Sequence, residues 1–253
     1  MKIAVIGIGV VGEAVSKFFE RDAEVIRFSR TLEKEGKATK EQVNDCAVAF
    51  VCVPTPMYPD KYGVNLTALE GVIGWLKTPI IVIKSTVPVG TTRRLAEETG
   101  KVILHNPEFL TERDAYNDML HPGRCLIGAP FVDLKPYADV IQKVYQHYYG
   151  PHVKYYVISS DHTEFIKYVT NAYLATKVTF CNEIKEIADS LSLDYDIVRE
   201  LWLLDERVGR DHTLVNDGYG GMCLPKDVKG LIGFTNNEFF KLVHNENERF
   251  KKS

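Results

Sequence analysis

The sequence has no apolar run long enough to cross a bilayer; its longest, such as Ala47 to Val53 and Ile80 to Ile83, have the length of strands. It has no internal repeat and no low-complexity segment, so neither a repeat architecture nor a biased tail is expected. It has no basic stripe, and with a formal net charge of −3 neither nucleic acid nor membrane is expected as a partner. Cysteines are few. The five present, at positions 46, 52, 125, 181 and 223, fall in no metal-ligand spacing and leave an odd one over, so no metal site is expected. Four of them read as small core hydrophobes in a reducing compartment. The chain starts directly on Ile3-Ala4-Val5-Ile6, without a basic leader or cleavage site, and the expectation is a cytoplasmic protein.

What is present is a 253-residue chain, 45% apolar, with room for one large or two modest domains. One stretch stands out for chemistry: Gly218-Tyr219-Gly220-Gly221-Met222-Cys223-Leu224-Pro225-Lys226-Asp227. Its glycines accept positive φ and lack a Cβ, so backbone there can approach a ligand closely. Proline suits the first turn of a helix, which places Cys223 near a helix N-terminus, where oriented amides and Lys226 both favour the thiolate. The competing reading is a tight turn around an ordinary half-buried cysteine.

A second signal opens the chain. A strand over Lys2 to Ile6 leads into Gly7-Ile8-Gly9-Val10-Val11-Gly12 and then a segment of helical periodicity from Glu13 to Phe19. In a dinucleotide site of this order Gly7 makes the turn, Gly9 admits the pyrophosphate and Gly12 lets helix and strand pack. A strand over Glu24 to Phe28 ends in Ser29-Arg30-Thr31, where such folds commonly present an acid to the ribose. A hydroxyl beside a guanidinium can bind a 2′-phosphate, which leans toward NADP; an Arg30 stacked on adenine in an NAD enzyme is the alternative. Further strands are expected at 46–53, 80–84, 102–104, 124–128 and 153–158, with helices at 66–76 and 132–149 between them. The alternation predicts a doubly wound, mostly parallel sheet over residues 1–158, whose strand ends near Pro54 and Lys84 to Thr86 border the nicotinamide. From Asp161 the pattern becomes helical throughout: one long helix to about Leu191, then helices at 194–204 and 236–249. Lys167 and Asn171, four apart, share a face of the long helix. The expected second domain is therefore helical and covers residues 159–253.

These segments together resemble the UDP-glucose/GDP-mannose dehydrogenase family. The resemblance rests on the glycine turn, Val53-Pro54-Thr55-Pro56, Lys84-Ser85-Thr86-Val87-Pro88, Asn106-Pro107-Glu108-Phe109-Leu110, Lys167-Tyr168 with Asn171-Ala172-Tyr173, and Gly220-Gly221-Met222-Cys223-Leu224-Pro225-Lys226-Asp227. It implies a nucleotide-sugar substrate whose C6 alcohol is oxidised in two hydride transfers, with Cys223 as nucleophile and Lys167 and Asn171 stabilising oxyanions. By the same resemblance Glu108, Asp227 and Thr86 orient water and move protons. Val10, Val11, Val53, Thr55 and Ser85 contact the cofactor. Phe109, Leu110, Glu112, Arg207, Tyr219 and Gly220 border the substrate, Arg207 reaching into a neighbouring subunit of a homodimer built on the long helix.

Met222 stands where the family usually has serine, Ser29-Arg30 stands where it has an acid, and the family's further UDP-binding domain has no counterpart in these 253 residues. Two other readings remain open: a single-step hydroxy-acid dehydrogenase of the same broader group, which needs the lysine but no cysteine, and a non-catalytic dinucleotide-binding subunit.

Overall fold

The computed structural model describes residues 1–251. The first 159 residues alternate strand and helix: β1 (Lys2–Ile6), α1 (Val10–Phe19), β2 (Glu24–Phe28), α2 (Arg30–Lys34), α3 (Lys40–Asn44), β3 (Val48–Val51), α4 (Thr67–Trp75), β4 (Ile80–Ile83), α5 (Thr91–Thr99), β5 (Ile103–His105), α6 (Ala115–Leu120), β6 (Arg124–Ala129), α7 (Lys135–Tyr149) and β7 (Lys154–Ser159). Helices follow: α8 (Ser160–Ser190), α9 (Tyr195–Trp202), α10 (Leu224–Thr235) and α11 (Glu238–Phe250). This is the expected order, a doubly wound α/β sheet and then helices with one long member. The short α6 had no counterpart in the sequence reading, because six residues carry too little periodicity to register.

The seven strands lie in the order β2-β1-β3-β4-β5-β6-β7, all neighbours parallel except β5 and β6. The central strands are apolar along their whole length because helices cover both faces of the sheet. Ile3, Val5, Phe50, Val82 and Leu104 pack with Phe18 and Phe19 of α1 and Tyr145 of α7. On the opposite face Ala4, Ile6, Val51, Ile81 and Ile83 pack with Leu69 and Ile73 of α4 and Leu95 of α5. The strand order reverses between β1 and β3, which puts the ligand crevice of this fold class at the carboxyl ends of those strands.

The chain divides into two compact units, residues 1–56 with 65–167, and residues 57–64 with 168–253. The strand-to-helix change at 159 is therefore not where the units part; that point lies about a quarter of the way along α8. The second unit also takes up a short hairpin from the polar loop after β3, closed by a bridge between Met57 and Val64. Two glycines of α10 make room for it. A Cβ on Gly233 would lie 2.7 Å from the Gly63 nitrogen, and one on Gly230 would meet the Tyr168 ring at 2.9 Å and Val64 at 3.2 Å. Ala175, Val178, Tyr219, Val228, Ile232 and Val243 form this unit's core.

Candidate active site

The turn after β1 is built almost entirely of backbone. Gly7 has φ +91°, and a Cβ there would sit 2.8 Å from the backbone of Cys52 and Val53 at the end of β3. A Cβ on Gly12 would lie 1.9 Å from the Gly7 carbonyl oxygen, so α1 can lie this close to the turn only with glycine at that position. Gly9 differs from both: it is the N-cap of α1 without a side-chain cap, and a Cβ built on it meets nothing within 4 Å. Close packing fixes two glycines, while the third leaves open space in front of uncapped helix amides, the arrangement that suits a pyrophosphate. The residues present thus fit a dinucleotide, with the exposed Val10 and half-buried Val11 at the helix start.

At the end of β2, the Ser29 hydroxyl caps α2 by accepting from the Leu32 amide at 3.2 Å, so it already has a structural partner. Arg30 is exposed. Beyond β3 and β4 the chain is cross-tied. Thr55 Oγ1 donates to the Thr86 carbonyl at 2.8 Å, and Ser85 Oγ donates to the Val53 carbonyl at 2.7 Å. Val53, Thr55, Ser85 and Thr86 are therefore brought together, with Pro54 exposed beside them.

Beneath these loops lies a buried lysine that the sequence did not single out. Lys84 Nζ donates to Asn106 Oδ1 at 2.7 Å and to the Asn106 carbonyl at 3.2 Å; the Tyr145 hydroxyl donates to the same Oδ1 at 2.6 Å. Burial pulls the Lys84 amine below its ordinary pKa, and nearby Cys52, Cys125 and Glu108 oppose that only in part. The two thiols are pushed up to about 12 by burial and are resting groups. Nothing in a strand reading Ile80 to Lys84 distinguishes a lysine that snorkels out from one that turns inward.

Asn106 opens the segment that holds Glu108. Burial raises the Glu108 pKa, but Lys167 at 2.9 Å, the Leu110 amide at 2.7 Å and the charge of Lys84 outweigh it, and the carboxyl is held below its usual range. Both members of the pair are nearly dry, with side chains 10% and 4% exposed. Phe109 lies under the two cations that border the segment: its ring centroid is 4.4 Å from the Arg124 guanidinium and 5.5 Å from Lys167 Nζ. Lys167 thus projects inward on α8. A one-dimensional view of the helix would have put it on the solvent face.

In the second unit the thiol loop takes the expected form. Gly218 and Gly221 have φ of +82° and +71°, and Cys223 is exposed as the N-cap of α10, with Pro225 in the first turn. The half-buried cysteine of the competing reading is not what is found. One turn on, the Asp227 amide donates to the Cys223 carbonyl at 2.9 Å. The Asp227 side chain is buried, accepting from Asn171 Nδ2 at 2.5 Å and paired with Lys226. Asn171 and Asp227 thus meet directly, although 56 residues separate them.

Other expected residues are not gathered in. The Tyr219 ring lies in the core of the second unit, and only its backbone holds the loop, through the Asn247 side-chain amide at 2.6 and 3.1 Å. Gly220 is exposed. Arg207 is exposed and folded back on Asp205 at 2.5 Å; Glu112 is exposed. Among the described residues no group of three or more His, Cys, Asp or Glu is arranged to hold a metal, and no helix is long and apolar enough to cross a membrane.

Two domains of a known family match the chain. Residues 27–149 match the NAD binding domain of the UDP-glucose/GDP-mannose dehydrogenase family, and residues 161–248 match its central domain. A Bacillus subtilis protein named putative UDP-glucose 6-dehydrogenase YtcA is 36% identical over 205 residues, 76% of this chain and 47% of that one. The UDP-glucose 6-dehydrogenase of Pseudomonas aeruginosa is 32% identical over 226 residues, 83% of this chain and 48% of that one. The chain thus spans about half the length of these curated relatives. A UDP-glucose dehydrogenase structure from Pyrobaculum islandicum superposes with a TM-score of 0.83 at 27% identity, covering 99% of this chain and 68% of that one. Between them the two matched domains of one family cover most of the chain, and this chain belongs to the UDP-glucose/GDP-mannose dehydrogenase family.

Proposed function

We propose that the chain is the catalytic part of an NAD(P)-dependent nucleotide-sugar 6-dehydrogenase, acting on UDP-glucose or a close analogue and converting a C6 primary alcohol to the carboxylate. The observation that carries this is Cys223: an exposed thiol at a helix N-terminus, with a buried carboxylate–amide pair one turn below it. A dehydrogenase that removes a single hydride has no need of that thiol.

The cofactor would be held by Gly7, Gly9, Val10, Val11 and Gly12, with Val53, Pro54, Thr55, Ser85 and Thr86 around the nicotinamide; when bound it supplies the hydride acceptor in each of two rounds. Glu108, kept anionic by Lys167, accepts a hydrogen bond from water and so orients it. Loss of the first hydride from C6, with the hydroxyl proton passing to that water, would give an aldehyde, to which the Cys223 thiolate adds as a thiohemiacetal whose oxyanion Lys167 and Asn171 stabilise. Loss of the second hydride leaves a thioester. Water then cleaves it, releasing the uronate and regenerating the thiol, with Asp227 handling the proton. Each sugar thus consumes two oxidised cofactors and one water. Phe109 and Leu110 would line the sugar. An exposed Arg30 next to Ser29 supports NADP; the description of the matched domain supports NAD.

A cytoplasmic homodimer is the assembly we favour. Val169, Tyr173, Phe180 and Ile187 recur at spacings of four and seven on α8, and each is roughly half exposed. In such a dimer Arg207 would serve the neighbouring site.

The test is a cofactor-reduction assay with UDP-glucose, UDP-N-acetyl sugars and GDP-mannose against NAD and NADP. The expected result is two reduced cofactors per sugar, and for Cys223→Ser a turnover at least about a thousandfold lower. Full turnover by Cys223→Ser, at one reduced cofactor per substrate, would replace this proposal with the hydroxy-acid reading. Cofactor binding with no reduction of any kind would leave the non-catalytic one.

A further inference from the structure

Glu164 has no place in the chemistry above, yet it is fully buried. Its carboxylate reaches across from α8 to the start of α5. Oε1 accepts from the Thr92 amide at 2.8 Å and from the Thr92 hydroxyl at 2.6 Å; Oε2 accepts from the Gly90 amide at 2.6 Å. Gly90, the N-cap of α5, has φ +88° and no side chain with which to cap the helix itself. The cap comes instead from a residue 72 positions away in sequence. Helix α5 begins where the Ser85 to Val89 loop ends, and α8 carries Lys167 one turn beyond Glu164.

From this we infer that Glu164 is a positioning residue: it ties the loop that carries Thr86 to the helix turn that carries Lys167, and so holds hydroxyl and ammonium in register for hydride and proton transfer. The functional half rests on the dehydrogenase reading; the tie itself does not.

Independent contacts converge on the same junction. The Thr86 carbonyl is fixed from the β3 side by Thr55, leaving the α5 end of the loop as the point that needs an anchor. Arg93 and Asp161 add an ion pair at 3.1 Å between the same two helices, with side chains 47% and 38% exposed, so screening leaves it little strength. The neighbouring turn of α8 is held by Thr163, whose hydroxyl lies 2.8 Å from His105 Nδ1. Burial lowers the His105 pKa to about 3, so that contact does not titrate near neutrality.

Among the described residues, the groups facing Glu164 are thus two amides, one hydroxyl and the carboxylate of Asp161, which pairs with Arg93, and no ion pair is formed with Glu164 itself. Burial, with a smaller contribution from Asp161, raises its pKa to about 7, and the three donors only partly offset this. The sign follows by linkage. A carboxyl that is harder to ionise in the closed tie than in water favours the closed tie when protonated, and the tie loosens as pH rises from about 4.5 to about 7.

The deciding experiment is amide hydrogen exchange at Gly90 and Thr92 in the whole chain, wild type against Glu164→Gln, corrected for intrinsic rates. Wild-type protection should fall by a factor of tens between pH 5 and pH 7 and stay level above it, while the variant shows no such step. In the reduction assay Glu164→Gln should lower kcat about tenfold and change the KM for the dinucleotide less than twofold, with Arg93→Ala unchanged in both. Equal protection profiles in the two proteins would overturn the tie. A step in protection with kcat unaltered would overturn the positioning role. If the wild type reduces no cofactor, the dehydrogenase reading fails, and the role in positioning for hydride transfer fails with it; the exchange profiles still decide the tie.

Discussion

Two carboxylates of the first unit, Glu108 and Glu164, are buried beside the same stretch of α8, and they ionise in opposite directions. Glu108 meets one cation and one amide; Glu164 meets two amides and a hydroxyl. The group with more hydrogen-bond donors has the raised pKa, about 7, and the group with fewer has the lowered one. Neutral donors recover part of what dehydration costs an anion, whereas a full positive charge at 2.9 Å in a dry site recovers more than all of it. The consequence is a division of labour: a permanent anion next to the proposed chemistry, and a proton-sensitive one holding the scaffold.

Removing the cation should erase the difference. In Lys167→Met, Glu108 keeps the Leu110 amide and the weaker influence of the Lys84 charge, and its pKa should rise. Truncating one member of a dry pair costs on the order of 3 kcal/mol, because the survivor is left charged or is forced to take up a proton. Turnover should drop by about a thousandfold or more, since the same ammonium is proposed to receive the oxyanion. Adding Glu108→Gln to Lys167→Met should recover most of the lost stability in urea titration and none of the turnover. Recovery of activity in the double variant would mean that the pair is structural.

Next in size is the pH dependence of stability, where the two groups should act in separate windows. Glu108 has its pKa depressed by folding, so its contribution is present above about pH 4.5 and is lost as pH falls below that. Glu164 has its pKa raised, so folding is favoured most below about pH 4.5, and the advantage is lost as pH climbs toward about 7. Urea midpoints of Glu108→Gln and Glu164→Gln, each compared with wild type from pH 3 to pH 8, should diverge in opposite senses on either side of pH 4.5. Parallel curves would show that charge pairing is not what separates the two sites.

The contrast also explains what a sequence can disclose. The sheet was legible because apolar strands, a glycine turn and helical periodicity are local patterns, and the family motifs supplied the order of the site residues. Cys223 was legible for the same reason: proline two residues on marks the helix start that it caps. Lys167, Glu164 and Lys84 look alike in one dimension, as polar residues at positions where solvent would be the default. Lys167 was found through its motif. Glu164 was missed, since its partners stand 72 and 74 residues away and nothing local distinguishes it from the half-buried Asp161 one turn earlier. The division of the chain inside α8, and the transfer of residues 57–64 to the second unit, were equally out of reach, because both depend on packing between distant segments.

The smallest and sharpest perturbation is Thr92→Val. It removes one of the three donors on Glu164, the hydroxyl at 2.6 Å, and keeps the amide, the shape of the side chain and its full burial. The loss of one buried hydrogen bond should cost about 1 kcal/mol. Its more telling effect is on ionisation. With two donors instead of three, the balance at Glu164 tips further toward the neutral acid, so the upper end of its titration window should move above pH 7 while that of Glu108 stays where it is. Carbon-detected NMR of the two carboxyl groups would follow both shifts in one sample. An unchanged Glu164 titration in Thr92→Val would mean that neutral donors contribute nothing to holding its charge, and dehydration alone would then account for the difference from Glu108.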